Sequence, residues 1–92
     1  MNIQHKDNGT KGAFYIEKDN VKKAELTYVW TGKTKIIIDH TEVDDSLRGE
    51  GIGEKLVRQA VDFAKEKDVS ILPLCPFAKA IIDKNKELQD IL

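Results

Sequence analysis

Hydrophobic and polar positions alternate along the first half of the chain with the period of two that a half-buried β-strand requires. The alternation is clearest over residues 23–30, where one face carries only apolar side chains: Ala24, Leu26, Tyr28 and Trp30. Aromatic and β-branched residues predict three more strands, over residues 2–6, 12–18 and 35–43. Clusters of Asp, Asn, Gly and Thr separate the strands, so the second, third and fourth are expected to form an antiparallel meander.

The second half of the chain changes to the period of an amphipathic helix, which we predict over residues 54–67. Its apolar stripe has helical spacing: Ile52, Leu56, Val57, Ala60, Val61, Phe63 and Ala64. An apolar strand is predicted over residues 69–74, and a second helix from Pro76 to about residue 84, since proline suits the first turn of a helix. A strand–helix–strand crossover places its two strands parallel. The predicted fold class is α/β (α+β). An antiparallel β-meander is followed by a β-α-β crossover and a C-terminal helix.

The fourth predicted strand is apolar where it begins and polar where it ends. Alternation assigns one face to Ile36, Ile38, His40 and Glu42, and the other to Ile37, Asp39, Thr41 and Val43. A buried strand that becomes polar at its carboxyl end is typical of a ligand site at the edge of a sheet. Pro73, in the last strand, cannot donate a ladder hydrogen bond. We therefore expect it at an edge, at a bulge, or where the last strand and the fourth diverge.

The length and the charge of the chain narrow the classes of function. Its 92 residues predict a single domain over residues 1–92. The 15 basic and 16 acidic side chains are interspersed, which argues against a nucleic-acid or membrane partner. One cysteine and the lack of an apolar signal segment favour a soluble cytoplasmic protein. No residue spacing predicts a metal site, and we expect a monomer or a weak homodimer.

Three glycines lie within five positions between the fourth strand and the first helix: Gly49, Gly51 and Gly53. Glycine is costly at the start of a helix unless the backbone must come close to a ligand. Free amides and a positive dipole make a helix N-terminus a binding site for an anion such as a phosphate. The spacing matches neither the P-loop of nucleotide hydrolases nor the G-x-G-x-x-G of dinucleotide sites. The alternative is a glycine-rich turn that only caps the helix.

The spacing Arg-x-x-Gly-x-Gly, filled by Arg48, Gly51 and Gly53, resembles the pyrophosphate-binding loop of the GCN5-related N-acetyltransferase (GNAT) superfamily. Two further segments resemble that family in the same order, namely residues 40–43 (His-Thr-Glu-Val) and 74–77 (Leu-Cys-Pro-Phe). The whole sequence is similar to a small, minimal branch of the superfamily. The resemblance implies that the chain binds acetyl-coenzyme A as its acetyl donor. It also implies transfer of the acetyl group to an amine acceptor, either a small molecule or a protein.

The resemblance assigns roles to particular residues. Those around the pyrophosphate would be Arg48, Gly49, Glu50, Gly51, Ile52 and Gly53. Those beside the pantetheine arm would be Thr41, Glu42 and Val43, since the arm of the family's cofactor lies between the splayed fourth and fifth strands.

Family members also carry N-terminal helices that help to build the acceptor site, and the meander leaves no room for them here. The acceptor pocket is therefore expected to be open or completed by a partner.

Cys75 and His40 are the candidate catalytic residues. A cysteine just before a helix that starts at Pro76 is placed for a lowered pKa, because a helix N-terminus favours the thiolate. His40, near the end of the fourth strand, is a candidate general base or a partner of the thiol. Both residues also have a structural interpretation, as a small buried side chain and as a hydrogen-bonded histidine. Transfer through an acyl-Cys75 intermediate and direct transfer to the amine both stay open.

Two other classes of function also stay open. A coenzyme A-binding module without turnover would use the same glycine loop, and the missing acceptor-site helices favour it. A small regulatory or interaction domain would use the glycines only to cap a helix. His5 lies far from the glycine loop in the sequence, and we expect it to take no part in a site.

Overall fold

The computed structural model describes residues 2–92, which form a five-stranded sheet with two α-helices. The strands are β1 (Gln4–Asp7), β2 (Lys11–Lys18), β3 (Val21–Thr31), β4 (Lys35–Val43) and β5 (Ser70–Pro73). The helices are α1 (Ile52–Lys67) and α2 (Pro76–Lys84), and 3-10 turns cover Asp45–Leu47 and Lys86–Ile91. Strands pair in chain order, β1 to β4 antiparallel and β4 with β5 parallel. The predicted α+β fold, with its meander and crossover, is confirmed.

The hydrophobic core lies between one face of the sheet and the two helices. The predicted face of β3 is buried in it through Ala24, Leu26 and Tyr28, and Trp30 is partly buried against it. The helices contribute Leu56, Val57, Ala60, Val61 and Ala64 from α1, and Ala78, Ile81 and Ile82 from α2. Only residues 44–51 connect β4 to α1. Packing on one face therefore holds the start of α1 beside the carboxyl end of β4.

A β-bulge in β4 changes which of its side chains face the core. Thr27 of β3 pairs with His40, but the next residue, Tyr28, pairs with Ile38, so Asp39 is an extra residue in β4. Side chains alternate in a regular strand, and one extra residue exchanges the two faces for the rest of the strand. The prediction of regular alternation through β4 is therefore wrong beyond the bulge.

The exchange reverses the predicted orientation of four candidate residues. Thr41 and Val43 face the core, where they pair with buried residues of β3. His40 and Glu42 face the opposite side of the sheet, and their side chains are 61% and 75% exposed. The two polar side chains that alternation assigned to the face of Ile36 and Ile38 thus lie on the opposite, open face.

β4 and β5 diverge directly after their last paired residues, Ile38 and Pro73. The carbonyl of Ile38 accepts hydrogen bonds from the amides of Leu74 (3.0 Å) and Cys75 (3.1 Å), and the chain then leaves the sheet as α2. Pro73 ends an edge strand at the point of divergence, as predicted for a residue without a ladder donor. Beyond this point β5 no longer covers the edge of β4, so residues 39–43 have backbone groups that an extended ligand can pair with.

A hydrogen-bonded aromatic cluster joins β1 to β3. The Tyr28 hydroxyl donates to Oδ2 of Asp7 (2.6 Å) and lies 2.6 Å from Nε2 of His5. The Trp30 indole donates to the same carboxylate oxygen (2.9 Å). Burial raises the pKa of Asp7, but hydrogen bonds from Tyr28, the Gly9 amide and Trp30 outweigh it, and the pKa lies below its ordinary value. These contacts hold β1 on the sheet.

Candidate functional site

A cavity of about 540 Å³ opens where the carboxyl end of β4 meets the N-terminal ends of α1 and α2. It is lined by seven residues that the sequence predicted for the ligand site: Thr41, Val43, Arg48, Gly49, Gly51, Ile52 and Gly53. It is also lined by four that the sequence did not assign to the ligand site: Leu47, Glu54, Phe77 and Ile81. The predicted residues Glu42 and Glu50 are exposed outside this lining. Phe77 and Ile81 are four residues apart on one face of α2, a spacing that could have been recognised in the sequence.

The loop between β4 and α1 is shaped by its own side chains. Asp44 begins the 3-10 turn by accepting the amide of Ser46 (3.0 Å), and Leu47 at the end of that turn is buried in the core. Nε of Arg48 lies 2.9 Å from Oδ1 of Asp45, in an exposed ion pair. Exposed pairs contribute little to stability. The Arg48 guanidinium can therefore exchange this carboxylate for a phosphate at low cost.

Gly49 and Gly51 have left-handed backbone angles, with φ of +85° and +71°. Residues with a side chain rarely adopt these angles, so the course of the loop requires glycine. Gly51 is the N-cap of α1, and no side chain caps this helix. The first hydrogen bond of the helix runs from the Lys55 amide to the Gly51 carbonyl (3.0 Å). The amides of residues 52–54 precede this bond and have no partner in the described chain. These amides and the positive end of the helix dipole form an anion-binding surface.

Gly53 matters for a different reason, which is the close approach of the Phe77 side chain. A Cβ atom added to Gly53 would lie 2.7 Å from Cε2 of the Phe77 ring, a separation that real Cβ atoms essentially never show. The ring is 44% exposed and lies against the first turn of α1. The cavity therefore places an apolar wall next to a row of free amide donors.

Cys75 lies at the N-terminus of α2, where β4 and β5 diverge, and it is buried. Its Sγ is 3.5 Å from Oγ1 of Thr41, a contact that exists because the bulge turns Thr41 inward. Burial raises the pKa of the thiol. Hydrogen bonds from the Thr41 hydroxyl and from the amides of Ala78 and Phe77 lower it by more, so the pKa lies below its ordinary value. A lowered pKa is what the sequence predicted for this position.

The structure does not bring His40 together with Cys75. The imidazole lies on the open face of the sheet, with Nε2 3.4 Å from Oε2 of Glu42, whereas Thr41 and Cys75 lie on the core face. The separation follows from the bulge, which the sequence pattern did not reveal. His40 is therefore not placed as a partner of the thiol, and its assignment as a general base stays a prediction.

The sequence model of a protein family described as GCN5-related N-acetyl-transferase matches residues 13–91. This chain belongs to the GCN5-related N-acetyltransferase family. The match includes the glycine loop and both helices, and it confirms the resemblance drawn from the sequence. The NMR structure of a GCN5-like protein from Staphylococcus aureus is similar, with a TM-score of 0.74 and 38% identity, over 96% of this chain and 85% of that one.

Some relatives and structural neighbours are longer than this chain. Protein NATD1 of Xenopus tropicalis is 35% identical over 63 residues, which are 68% of this chain and 58% of that protein. Human Protein NATD1 has the same identity over 68% and 56%, so the match spans less than two thirds of these relatives. The crystal structure of a ribosomal-protein-alanine N-acetyltransferase from Brucella melitensis biovar Abortus 2308 has a TM-score of 0.66 at 18% identity, with coverage of 84% and 62%. At that identity the likeness shows a shared fold.

Two kinds of feature are absent from the part of the chain that the structure describes. Within residues 2–92, no helix combines the length and the apolar character that crossing a membrane requires. In the same part of the chain, no three His, Cys, Asp or Glu side chains come together as metal ligands would. Members of this family generally use acetyl-coenzyme A. The donors that the cavity offers are backbone amides and one guanidinium.

Proposed function

We propose that this chain is an N-acetyltransferase that binds acetyl-coenzyme A and transfers its acetyl group to an amine. The observation that carries the proposal is the row of free amides at residues 52–54, which follows two glycines with left-handed backbone angles and lines a cavity of about 540 Å³. Family membership favours the same donor. The acceptor is a small molecule or a protein with a free amine.

The residues of the cavity fit the two parts of coenzyme A. The amides of residues 49–54 and the Arg48 guanidinium would hold the pyrophosphate, since both kinds of donor suit phosphate oxygens. The free edge of β4 at residues 41–43 would hold the amide groups of the pantetheine arm, because an extended chain can add to an uncovered sheet edge. The Phe77 ring would cover this arm from the side of α2.

Acetyl-coenzyme A would supply a thioester whose C–S bond is exchanged for a C–N bond on the acceptor, while one proton of the amine ends on the departing thiol. Cys75 is the nucleophile or proton carrier that the chain offers on the core face, and the Thr41 hydroxyl would stabilise its thiolate. His40 would act on the other face of β4, where it can accept a proton from the incoming ammonium.

An amide NMR titration with acetyl-coenzyme A tests the binding site. The signals of residues 49–54 and of Cys75 should shift together and saturate, while that of Gly32, in the β3–β4 turn, should stay in place. Gly51→Glu should abolish the shifts because it sets a carboxylate against the pyrophosphate. Gly32→Glu is the matched control, since Gly32 has the same φ of +71°. Unchanged loop signals at millimolar ligand would rule the site out.

A coenzyme A-binding module without turnover is the second candidate function. It is favoured because the open face of the sheet is not covered by any helix of residues 2–92, so no helix helps to build an acceptor site there. Mass spectrometry of the acid-quenched protein after incubation with acetyl-coenzyme A shows whether Cys75 carries an acetyl group. Release of coenzyme A thiol in the presence of the peptide acetyl-Lys-Gly-Gly-Glu-amide measures transfer. An enzyme that acts through Cys75 should lose this release in Cys75→Ser with unchanged cofactor affinity, and an enzyme that transfers the group directly should keep it. A binding module releases no thiol in either form.

A further inference from the structure

The face of the sheet opposite to the helices carries a second cavity, a groove of about 490 Å³. Its floor includes the small side chains of Ala13 and Thr27, which pair with each other between β2 and β3. Its lining runs from Lys6 in β1 to Asp39 in the bulge of β4. Three strand spacings separate these two ends, or about 14 Å. The groove thus has the length of a short extended peptide.

The two ends of this groove differ in charge. On the β1–β2 side its charged lining has two lysines and one carboxylate, and on the β3–β4 side it has two carboxylates: Lys6, Lys11, Asp7, Glu25 and Asp39. The carboxylate of Glu25 is neutralised by Lys22, whose Nζ lies 2.8 Å from its Oε2. The carboxylate of Asp7 accepts hydrogen bonds from Tyr28 and Trp30 and keeps its negative charge, so Lys6 and Lys11 leave the basic end with one positive charge in excess. Within residues 2–92 no basic side chain pairs with Asp39, which leaves it to bind a cation.

Asp39 lies where this groove meets the gap between β4 and β5. Its Oδ1 accepts a hydrogen bond from the Thr27 hydroxyl (2.5 Å), which leaves Oδ2 for a ligand. The preceding residue, Ile38, accepts the Cys75 amide at 3.1 Å. Asp39 and Cys75 therefore flank the same gap from opposite faces of the sheet. A cation held by Asp39 would lie next to a thioester that enters the gap from the core face.

We infer that this groove binds the acetyl acceptor, and that the acceptor is a peptide segment with a lysine amine and an acidic side chain. The inference rests on the proposed acetyltransferase function. The lysine ammonium pairs with Asp39 beside the gap, and the acidic group reaches Lys6 and Lys11 at the other end. The exposed His40, next to Asp39 and on the same face, is placed to accept the proton that the ammonium must lose before it attacks.

Amide NMR titrations of the coenzyme A-saturated protein with three tetrapeptides test this assignment. The peptides are acetyl-Lys-Gly-Gly-Glu-amide and its analogues with Gln or Lys in the last position, and about 10 Å separates the first and last Cα atoms of an extended form. We expect the first peptide to shift the signals of Ala13, Thr27 and Val29. The Gln analogue should bind several-fold more weakly and the Lys analogue more weakly still, because Lys6 and Lys11 repel its second cation.

Two matched variants locate the ammonium. Asp39→Asn keeps the oxygen that accepts from Thr27 and loses the charge, so it should weaken the first peptide at least fivefold. Asp19→Asn removes the same charge in the β2–β3 turn and should leave affinity unchanged. Equal affinity in Asp39→Asn and wild type, or tighter binding of the Lys analogue, would overturn the inference. The loop signals of residues 49–54 report coenzyme A binding in the same samples. Loop shifts without any groove shift would therefore refute the acceptor site alone, whereas absent loop shifts would refute the proposed function.

Discussion

Replacement of Gly51 by alanine separates the two uses that a glycine in this loop can have. At φ of +71° a side chain costs roughly 1–2 kcal/mol, and the stiffer unfolded chain returns roughly 0.5 kcal/mol. The added Cβ meets no atom within 4 Å, so no clash adds to these two terms, and the net loss of stability should be about 1 kcal/mol. For a domain of this size that loss lowers Tm by roughly 4–8 °C.

Gly32→Ala is an unusually close control for this change. Gly32 has the same φ of +71° and the same empty surroundings, but it lies in the β3–β4 turn. Urea unfolding should therefore give both variants the same loss of stability. Calorimetric titration with acetyl-coenzyme A should separate them, because the methyl group introduced by Gly51→Ala would occupy space beside the pyrophosphate. We expect Gly51→Ala to weaken binding about tenfold, which is about 1.4 kcal/mol, and Gly32→Ala to leave it unchanged. Equal affinities in the two variants would refute the assignment of the loop to the cofactor.

Three further changes test contacts in the site and in the meander. Thr41→Val should raise the pKa of Cys75 and move the pH profile of its reaction with a small disulfide reagent upward; an unmoved profile would mean that the hydroxyl does not stabilise the thiolate. Asp7→Asn should lower stability to urea at pH 7. Because folding lowers the pKa of this carboxyl, the deficit should hold above about pH 4 and disappear as the pH falls further; a constant deficit down to pH 2 would contradict that origin. Gly53→Ala should displace the Phe77 ring and weaken acetyl-coenzyme A binding several-fold, whereas adding Gly53→Ala to a Phe77→Ala background should cost much less. If Gly53→Ala cost the same affinity in both backgrounds, the Phe77 ring would not be the group that the added Cβ displaces.

The helices, the strands and the position of the glycine loop could be predicted from the sequence, because these depend on local properties of the chain. Alternation in β3 predicted its buried face through Tyr28, and helical spacing predicted the buried stripe of α1. The spacing of Arg48, Gly51 and Gly53 predicted the family. A side-chain period or a motif spacing is set by residues a few positions apart, so it can be read without knowledge of the partners in the fold.

Which candidate residues meet depends instead on contacts between segments that are distant in the chain. The bulge at Asp39 arises in the pairing of β4 with β3, and one unpaired residue is enough to send His40 to the open face and Thr41 to Cys75. The gap beyond Ile38 likewise depends on how β5 and α2 pack against β4. The groove on the open face brings together side chains from four strands, so no local pattern could reveal it. Register and divergence are properties of contacts between distant segments. Beyond the bulge, the apolar side chain of β4 is Val43 alone, and one residue is too little to reveal the shifted alternation.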